Sequence, residues 1–303
     1  MVFHNSSKQV CKGGRPRRIR IKLFKKSFKY WFPGCNFVRE IVSRYRRFLD
    51  DGSIIVITEK AVSVALGNIY DESVIKLDFT SKYFTKIVNS YLWGRILYKS
   101  FRRGDDFLEL VGRVPLEYLA IHKKLSLKYG GPLHFIKPYS EGGIDTTNLP
   151  YYYVSLPLRN ADKVVQEISE DLTKLVGKDI YVLLIDSDRT FKPKHISSIA
   201  ISTRPSYVKG VIDLGGLGYI LGRLLTKRFT EYPTPVAYEG YWFGLPRILK
   251  IARMVEKSIG YGLGKSAIEM LKNLGKSSFN DVRWVDMNKV KHYPVVVVRV
   301  ERV

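Results

Sequence analysis

Acidic residues are scarce in this chain: 28 Asp and Glu stand against 51 Lys and Arg among 303 residues, a formal net charge of +23. An excess of that size points to an anionic partner, whether nucleic acid, a nucleotide, or a phosphorylated or polycarboxylate substrate; the plain competitor is a generally basic proteome. Cysteine is scarcer still. Cys11 and Cys35 cannot build a disulfide framework, and neither has a Cys or His neighbour at zinc-ligand spacing, so a reducing cytoplasm is the expected setting. No uninterrupted apolar run approaches the roughly 18 residues of a membrane helix, and the first 20 residues lack the apolar core of a signal peptide. Internal repeats and low-complexity tracts are also missing. What remains is 45% hydrophobic and 13% aromatic, enough for a large core in one large or two ordinary domains.

Against that basic background, one stretch concentrates hard oxygen donors. Segment 140–150 holds Glu141, Asp145, Thr146, Thr147 and Asn148 around the pair Gly142 and Gly143. The glycines let the backbone turn sharply or approach a neighbour closely, and the oxygens are those that Mg²⁺ or Mn²⁺ and phosphates attract. Solvated caps and Asx turns use the same residues. A second acidic loop is expected at Asp186, Ser187, Asp188 and Arg189, at the end of the apolar strand pattern 178–185, where carboxylates can reach a shared cleft. A third polar group, Thr58, Glu59 and Lys60, follows the buried strand pattern 53–57. It suits either binding or simple helix capping.

The rest of the chain alternates strand and helix patterns. Residues 1–18 read as a basic flexible tail, 19–24 as a half-buried strand, and 37–48 as a helix with a basic outer face. Between them, 25–34 mixes three lysines with four aromatics, which fits base stacking, a phosphate-facing loop, or a core edge with snorkelling lysines. Helices are expected over 83–98, from Pro115 to 128, 161–176, 214–225 and 246–259, and strands over 151–157, 195–202 and 293–300. His122 and His134 are left outside any site as ordinary packing or surface groups. The glycine-rich run 260–266 ends in Gly264, Lys265 and Ser266, but a phosphate loop needs a glycine where Ile259 stands and a preceding strand, so a helix-to-helix turn is expected.

Four segments, 51–63, 141–148, 182–189 and 294–299, in that order, resemble the coenzyme F420-0:γ-glutamyl ligase family over nearly the whole chain. The resemblance implies an α+β fold of intertwined mixed sheets with flanking helices, in a cytoplasmic homodimer. The parts would be a tail at 1–18, a nucleotide- and metal-binding part at 19–195, and a second lobe at 196–303 whose final strand returns to the core. It also implies a GTP-dependent ligase that activates the carboxylate of F420-0 or another anionic acceptor as an acyl phosphate and joins L-glutamate to it, using Mg²⁺ or Mn²⁺ with K⁺ as a further cation. Asp145, Asp186 and Ser187 then match metal ligands; Asn148 and Thr58, Glu59, Lys60 and Ser63 match the nucleotide site. Lys60 or Arg189 would balance phosphate charge, and Asp188 or Glu141 would take the proton of the glutamate amine.

The chain also departs from that pattern. Val64 follows Ser63 where many relatives carry lysine, Tyr261 stands near the place of a glutamate so that a third acidic ligand is expected to be absent with Glu239 as the candidate stand-in, and 79–103 looks like added material. A basic nucleic-acid-binding protein and a ligase fold that has lost catalysis are the alternatives.

Overall fold

Three apolar runs, 53–58, 180–185 and 295–298, have bulky residues on both faces of a strand, the pattern of strands covered on both sides. In the computed structural model, which describes residues 2–3, 19–97, 115–137 and 142–302, they form the centre of one sheet. The chain runs β1 (Val2–Phe3), β2 (Ile19–Lys25), α1 (Phe37–Tyr45), β3 (Ser53–Thr58), α2 (Glu59–Ala65), β4 (Ile69–Asp71), α3 (Phe79–Lys86) with a π-helical continuation (Ile87–Leu97), α4 (Leu116–Gly130), α5 (Pro132–Phe135), β5 (Tyr153–Ser155), α6 (Ala161–Val176), β6 (Ile180–Pro193), β7 (Ala200–Ser202), β8 (Val211–Asp213), α7 (Gly215–Leu224), β9 (Phe229–Glu239), α8 (Leu245–Glu256), α9 (Ala267–Leu274) and β10 (Val295–Arg302).

The sheet order is β1-β2-β10-β3-β6-β7-β8, with β9 also paired to β6. Pairing of β3 with β6 is parallel, and β10 runs antiparallel to both β2 and β3. Alternate residues therefore face opposite ways. Ile55, Ile57, Val182, Leu184, Val295 and Val297 meet α1 and α6, whereas Ile54, Val56, Leu183, Ile185, Val296 and Val298 meet α8. Each helix presents one apolar stripe: Phe37, Ile41 and Tyr45 on α1, and Val165, Ile168 and Leu172 on α6. This is the expected α+β architecture, a mixed sheet with flanking helices. The boundary expected at 195/196 falls between β6 and β7, which are paired in the same sheet. Of the expected tail, Val2 and Phe3 pair with Ile21 and Lys22, and 4–18 lie outside the described residues.

The aromatic and basic stretch 25–34 offers no stacking platform. Phe28, Tyr30 and Trp31 are buried, and Lys25 and Lys26 lie over the rings of Tyr293 and Phe48. That is the core-edge alternative, with ammonium groups snorkelling past apolar rings.

The second acidic loop is not a loop. β6 passes straight through it as a strand of 14 residues, and the register with β9 slips between Asp186 and Arg189. Asp186 faces Thr234 and Arg189 faces Pro233, so Ser187 and Asp188 are extra residues thrown out as a bulge. Two prolines in β9, Pro233 and Pro235, sit opposite this irregular stretch, where ladder donors are dispensable. Between them the fully buried Thr234 donates through Oγ1 to the Asp188 carbonyl at 3.0 Å and accepts from Thr190 Oγ1 at 2.9 Å. Thr234→Val keeps the shape and removes both bonds. It is expected to cost about 1–3 kcal/mol of stability with an unchanged slope in urea denaturation; an unaltered midpoint would show that the bulge does not depend on this hydroxyl.

Candidate functional site

The bulge faces the loop that carries Asp145. Asp145 is pinned by a backbone bridge to Ser155, its N–H donating to the Ser155 carbonyl at 3.2 Å and its carbonyl accepting at 2.9 Å. β5 is thereby what positions this carboxylate, and β5 in turn pairs with β4 in a small separate sheet. Asp145, Thr147, Asp186 and Ser187 line both a cleft of about 730 Å³ and an adjoining cavity of about 200 Å³. A turn and a strand bulge, whose aspartates stand 41 residues apart in sequence, thus meet around one space.

The carboxylates there are paired with buried or half-buried cations. Lys60, in the first turn of α2, reaches Asp145 Oδ2 at 3.0 Å and Thr147 Oγ1 at 2.7 Å, and also the Thr147 carbonyl. Asp145 Oδ1 accepts from the N–H and hydroxyl of Thr147, both at 2.8 Å, an Asx turn that fixes its rotamer. Lys137 reaches Asp188 Oδ1 at 3.0 Å with both side chains buried. Arg204 lies completely buried between Asp186 Oδ2, at 2.8 Å, and both oxygens of Glu59. Glu59 also accepts from the Leu158 N–H at 2.8 Å. Burial alone would push Asp186 up, but the Arg204 charge and hydrogen bond, with the N–H groups of Asp188 and Ser187, hold it below the ordinary carboxylate range. Burial pushes Lys60 down against the pull of Asp145.

The glycine pair has a concrete reason. Gly143 has φ +89°, and a Cβ there would stand 2.5 Å from Arg204 Cζ, so only glycine lets the guanidinium pass beneath the loop. Arg204 itself escaped the sequence reading, because one arginine among 51 basic residues has no periodic signature; the glycine it packs against was the available signal.

Other expected residues are placed differently. Thr58 and Lys60 line the smaller cavity, but Glu59 faces inward as the partner of Arg204. Ser63 is buried away from the cleft, donating to the Leu156 carbonyl at 2.6 Å, because α2 turns that face of the helix toward the core. Asn148 lines the smaller cavity, yet its carboxamide accepts from the Leu263 N–H at 2.7 Å and donates to the Tyr261 carbonyl at 3.3 Å. It holds the turn between α8 and α9, the helix-to-helix connection expected there; Gly262 in that turn has φ +64°, and a Cβ would meet the Asn148 amide at 2.6 Å. Arg189 is tied to Glu231 at 3.0 Å and Glu256 at 2.7 Å. Glu141 lies outside the described residues.

Glu239 is no third ligand: it is exposed at the end of β9, opposite Val182, and lines neither cavity. Besides Asp145 and Asp186, the smaller cavity is lined by Glu256 of α8, pushed up by burial against the opposing charge of Arg189. Beside it, burial and then Lys60 push His292 down to about 4, so its imidazole is neutral at pH 7. Among the described residues, no three His, Cys, Asp or Glu side chains converge as a ready metal cage, and no helix is long and apolar enough to cross a membrane.

A model of the F420-0:γ-glutamyl ligase family matches residues 28–227, which include the Asp145 loop, the Asp186 bulge and Arg204. The chain is also 31% identical over 290 residues to an uncharacterized protein, MJ1361, of Methanocaldococcus jannaschii, a match covering 90% of this chain and 94% of that one. Glu256 and the 260–266 turn come from beyond the matched family segment.

Within the buried triad of Glu59, Arg204 and Asp186, Asp186 sets an acid-stability limb, whereas burial holds Glu59 above the ordinary carboxylate range. Because the folded pKa of Asp186 is depressed, its contribution is complete above the unfolded value of about 3.9 and is lost as pH falls through the folded value. Arg204→Met leaves two buried carboxylates without their cation and is expected to cost about 3–5 kcal/mol at pH 7, with part of the loss recovered at low pH as they protonate. Denaturation across pH checks both signs; a variant with unchanged stability at pH 7 would contradict this account.

Proposed function

The chain belongs to the F420-0:γ-glutamyl ligase family, whose name supports a ligase-type enzyme, and from that membership and the cleft we propose a GTP-dependent amide ligase. It activates an acid such as F420-0 as an acyl phosphate and joins L-glutamate to it. The observation that carries this reading is the meeting of Asp145 and Asp186 around one cleft with Lys60, Lys137 and Arg204 already in place.

Phosphoryl transfer to a carboxylate crowds anions together, so its catalysis consists mostly of positioning and charge neutralisation. Lys60 and Arg189 place positive charge at the cavity wall, held there by Asp145 and by Glu231 and Glu256. Two carboxylates and a hydroxyl on one cleft suit Mg²⁺ or Mn²⁺ of the kind that uses one or two carboxylates and completes its shell from water and substrate phosphate; among the described residues no protein cage of three acidic, His or Cys side chains is formed. Asp145, Asp186 and Ser187 are the residues that would hold such an ion, which when bound supplies neutralisation at phosphate oxygens. The acceptor's remaining anionic groups would be drawn by the +23 excess. The proposal includes a homodimer and K⁺ as an additional cation, on the family resemblance alone.

With Mn²⁺, GTP at about 100 times its Kd should stabilise the wild-type protein by about 2.7 kcal/mol, read as a thermal shift. Asp145→Asn combined with Asp186→Asn should abolish that shift. A wild-type protein indifferent to GTP and Mn²⁺ overturns the proposal.

A further inference from the structure

Hydrophobic burial dictates which way a surface helix faces, and α7 faces the other way. The side it presses into the protein is glycine: Gly215, Gly216, Gly218 and Gly222 are buried. A Cβ at Gly222 would collide with the ring of the buried Phe191, and one at Gly218 would stand 2.7 Å from the Ser202 carbonyl oxygen, so glycine is what lets the helix lie this close. The side it turns outward is leucine. Leu217, Leu221 and Leu224, with Leu225 at the helix end, are between 38% and 47% exposed. At about 100° per residue the four share one arc of about 100°, the width of an apolar stripe that ordinarily faces a core. Leu133 of α5, whose backbone abuts Gly215, is also exposed and extends the patch.

Single apolar side chains on a surface need no partner, but a contiguous stripe rimmed by charge marks an interaction site. The charge around this one has a single sign. Lys227 and Arg228 follow the last leucines, and the Arg228 carbonyl accepts from the Lys194 N–H at 3.0 Å, which brings the chain leaving β6 alongside. Lys194, Lys227 and Arg228 are exposed, and none of the three is paired with an acid among the described residues. From Arg189 to Thr230 the sole acid is Asp213, and it is already held by His134 Nε2 at 3.0 Å and the Gly215 N–H at 2.8 Å.

That sign decides between occupants. A second copy packed here about a two-fold axis would set the basic rim against its own image, with no acid to oppose it. An anionic lipid surface suits both parts at once: leucines enter the boundary between headgroups and acyl chains while lysine and arginine stay among the phosphates. We propose that the leucine face of α7, with its basic end, docks this protein peripherally on an anionic membrane surface. The opposite side of α7, through Tyr219 and Arg223, lines the cleft of about 730 Å³, so the docking helix is also part of the cleft wall. The proposal is independent of the reaction carried out there and leaves the homodimer to another surface.

Vesicle sedimentation of the full-length protein tests this, with phosphatidylcholine alone or mixed with an equal part of phosphatidylglycerol. Wild type should pellet with the mixed vesicles and stay in solution with phosphatidylcholine. Salt at about 0.5 M, where the Debye length is about 4 Å, should release it. Leu221→Ser with Leu224→Ser should weaken binding by about 30-fold or more, and Lys227→Gln with Arg228→Gln by about 20-fold. Leu217→Trp adds a reading that removes no apolar surface: its emission should move to the blue with mixed vesicles and not with phosphatidylcholine. Wild type left in solution by mixed vesicles overturns the proposal, as does a Leu217→Trp emission that they do not move. Equal pelleting by the double serine variant reduces the contact to charge alone and overturns it too. So does a halved mass of that variant in light scattering, which makes the face a contact between copies.

Discussion

The guanidinium of Arg204 is the interaction on which the cleft depends. Taking one cation and two carboxylates out of water costs several kcal/mol per ion, and the arrangement holds only because nearly every oxygen has a donor: Glu59 from Arg204 and the Leu158 N–H, Asp186 from Arg204 and the Asp188 N–H. Those contacts join the start of α2, the β6 bulge and the segment after β7. Gly143 closes over the same guanidinium, so the Asp145 loop is registered against it too. Four stretches distant in sequence are thus tied to one side chain.

The sheet explains why the bulge can exist at all. β6 is buried on both faces as far as Ile185, and its ladder with β9 resumes at Arg189. Strand on both sides of an irregular pair of residues gives them a rigid frame, which suits side chains that must be held to a fraction of an ångström. Thr234 and the two flanking prolines accommodate that irregularity from the β9 side.

Much of this frame was legible beforehand, because continuous apolar runs and helical stripes are strong signals: β3, α6 and the apolar half of β6 fall where periodicity puts them. β9 was not foreseen, since Pro233 and Pro235 disguise a strand whose irregular pairing makes prolines acceptable. β5 and β7 are each three residues, shorter than the patterns that suggested them, because turns at Pro150 and around Ser197 and Ser198 take up the remaining length. At the site, the residues brought together as Asp145, Asp186, Ser187 and Lys60 were visible as oxygen-rich turns and a polar helix start. Their partners Arg204, Lys137 and Glu256 were not, as a charge partner is chosen by tertiary proximity and leaves no spacing in sequence. Ser63 and Glu59 were misplaced for a related reason: in a helix as short as α2, adjacent residues point about 100° apart, and only the helix orientation decides which of them sees the cleft.

The pairing of Asp145, Asp186 and Asp188 with cations has a consequence for binding. An anion that draws Lys60 to itself leaves Asp145 without its partner, and separating a partly buried pair is costly unless the exposed charge is compensated at once. A phosphate arriving alone therefore gains little, and so does a cation that takes Asp145 and strands Lys60. On the proposed reading, anionic substrate and its counter-cation gain most by entering together, each releasing the group the other needs. Such a site is neutralised in its resting state and becomes strongly attractive only to the matched pair, which is how a protein of +23 can keep an anion-binding cleft from filling with whatever anion is nearest.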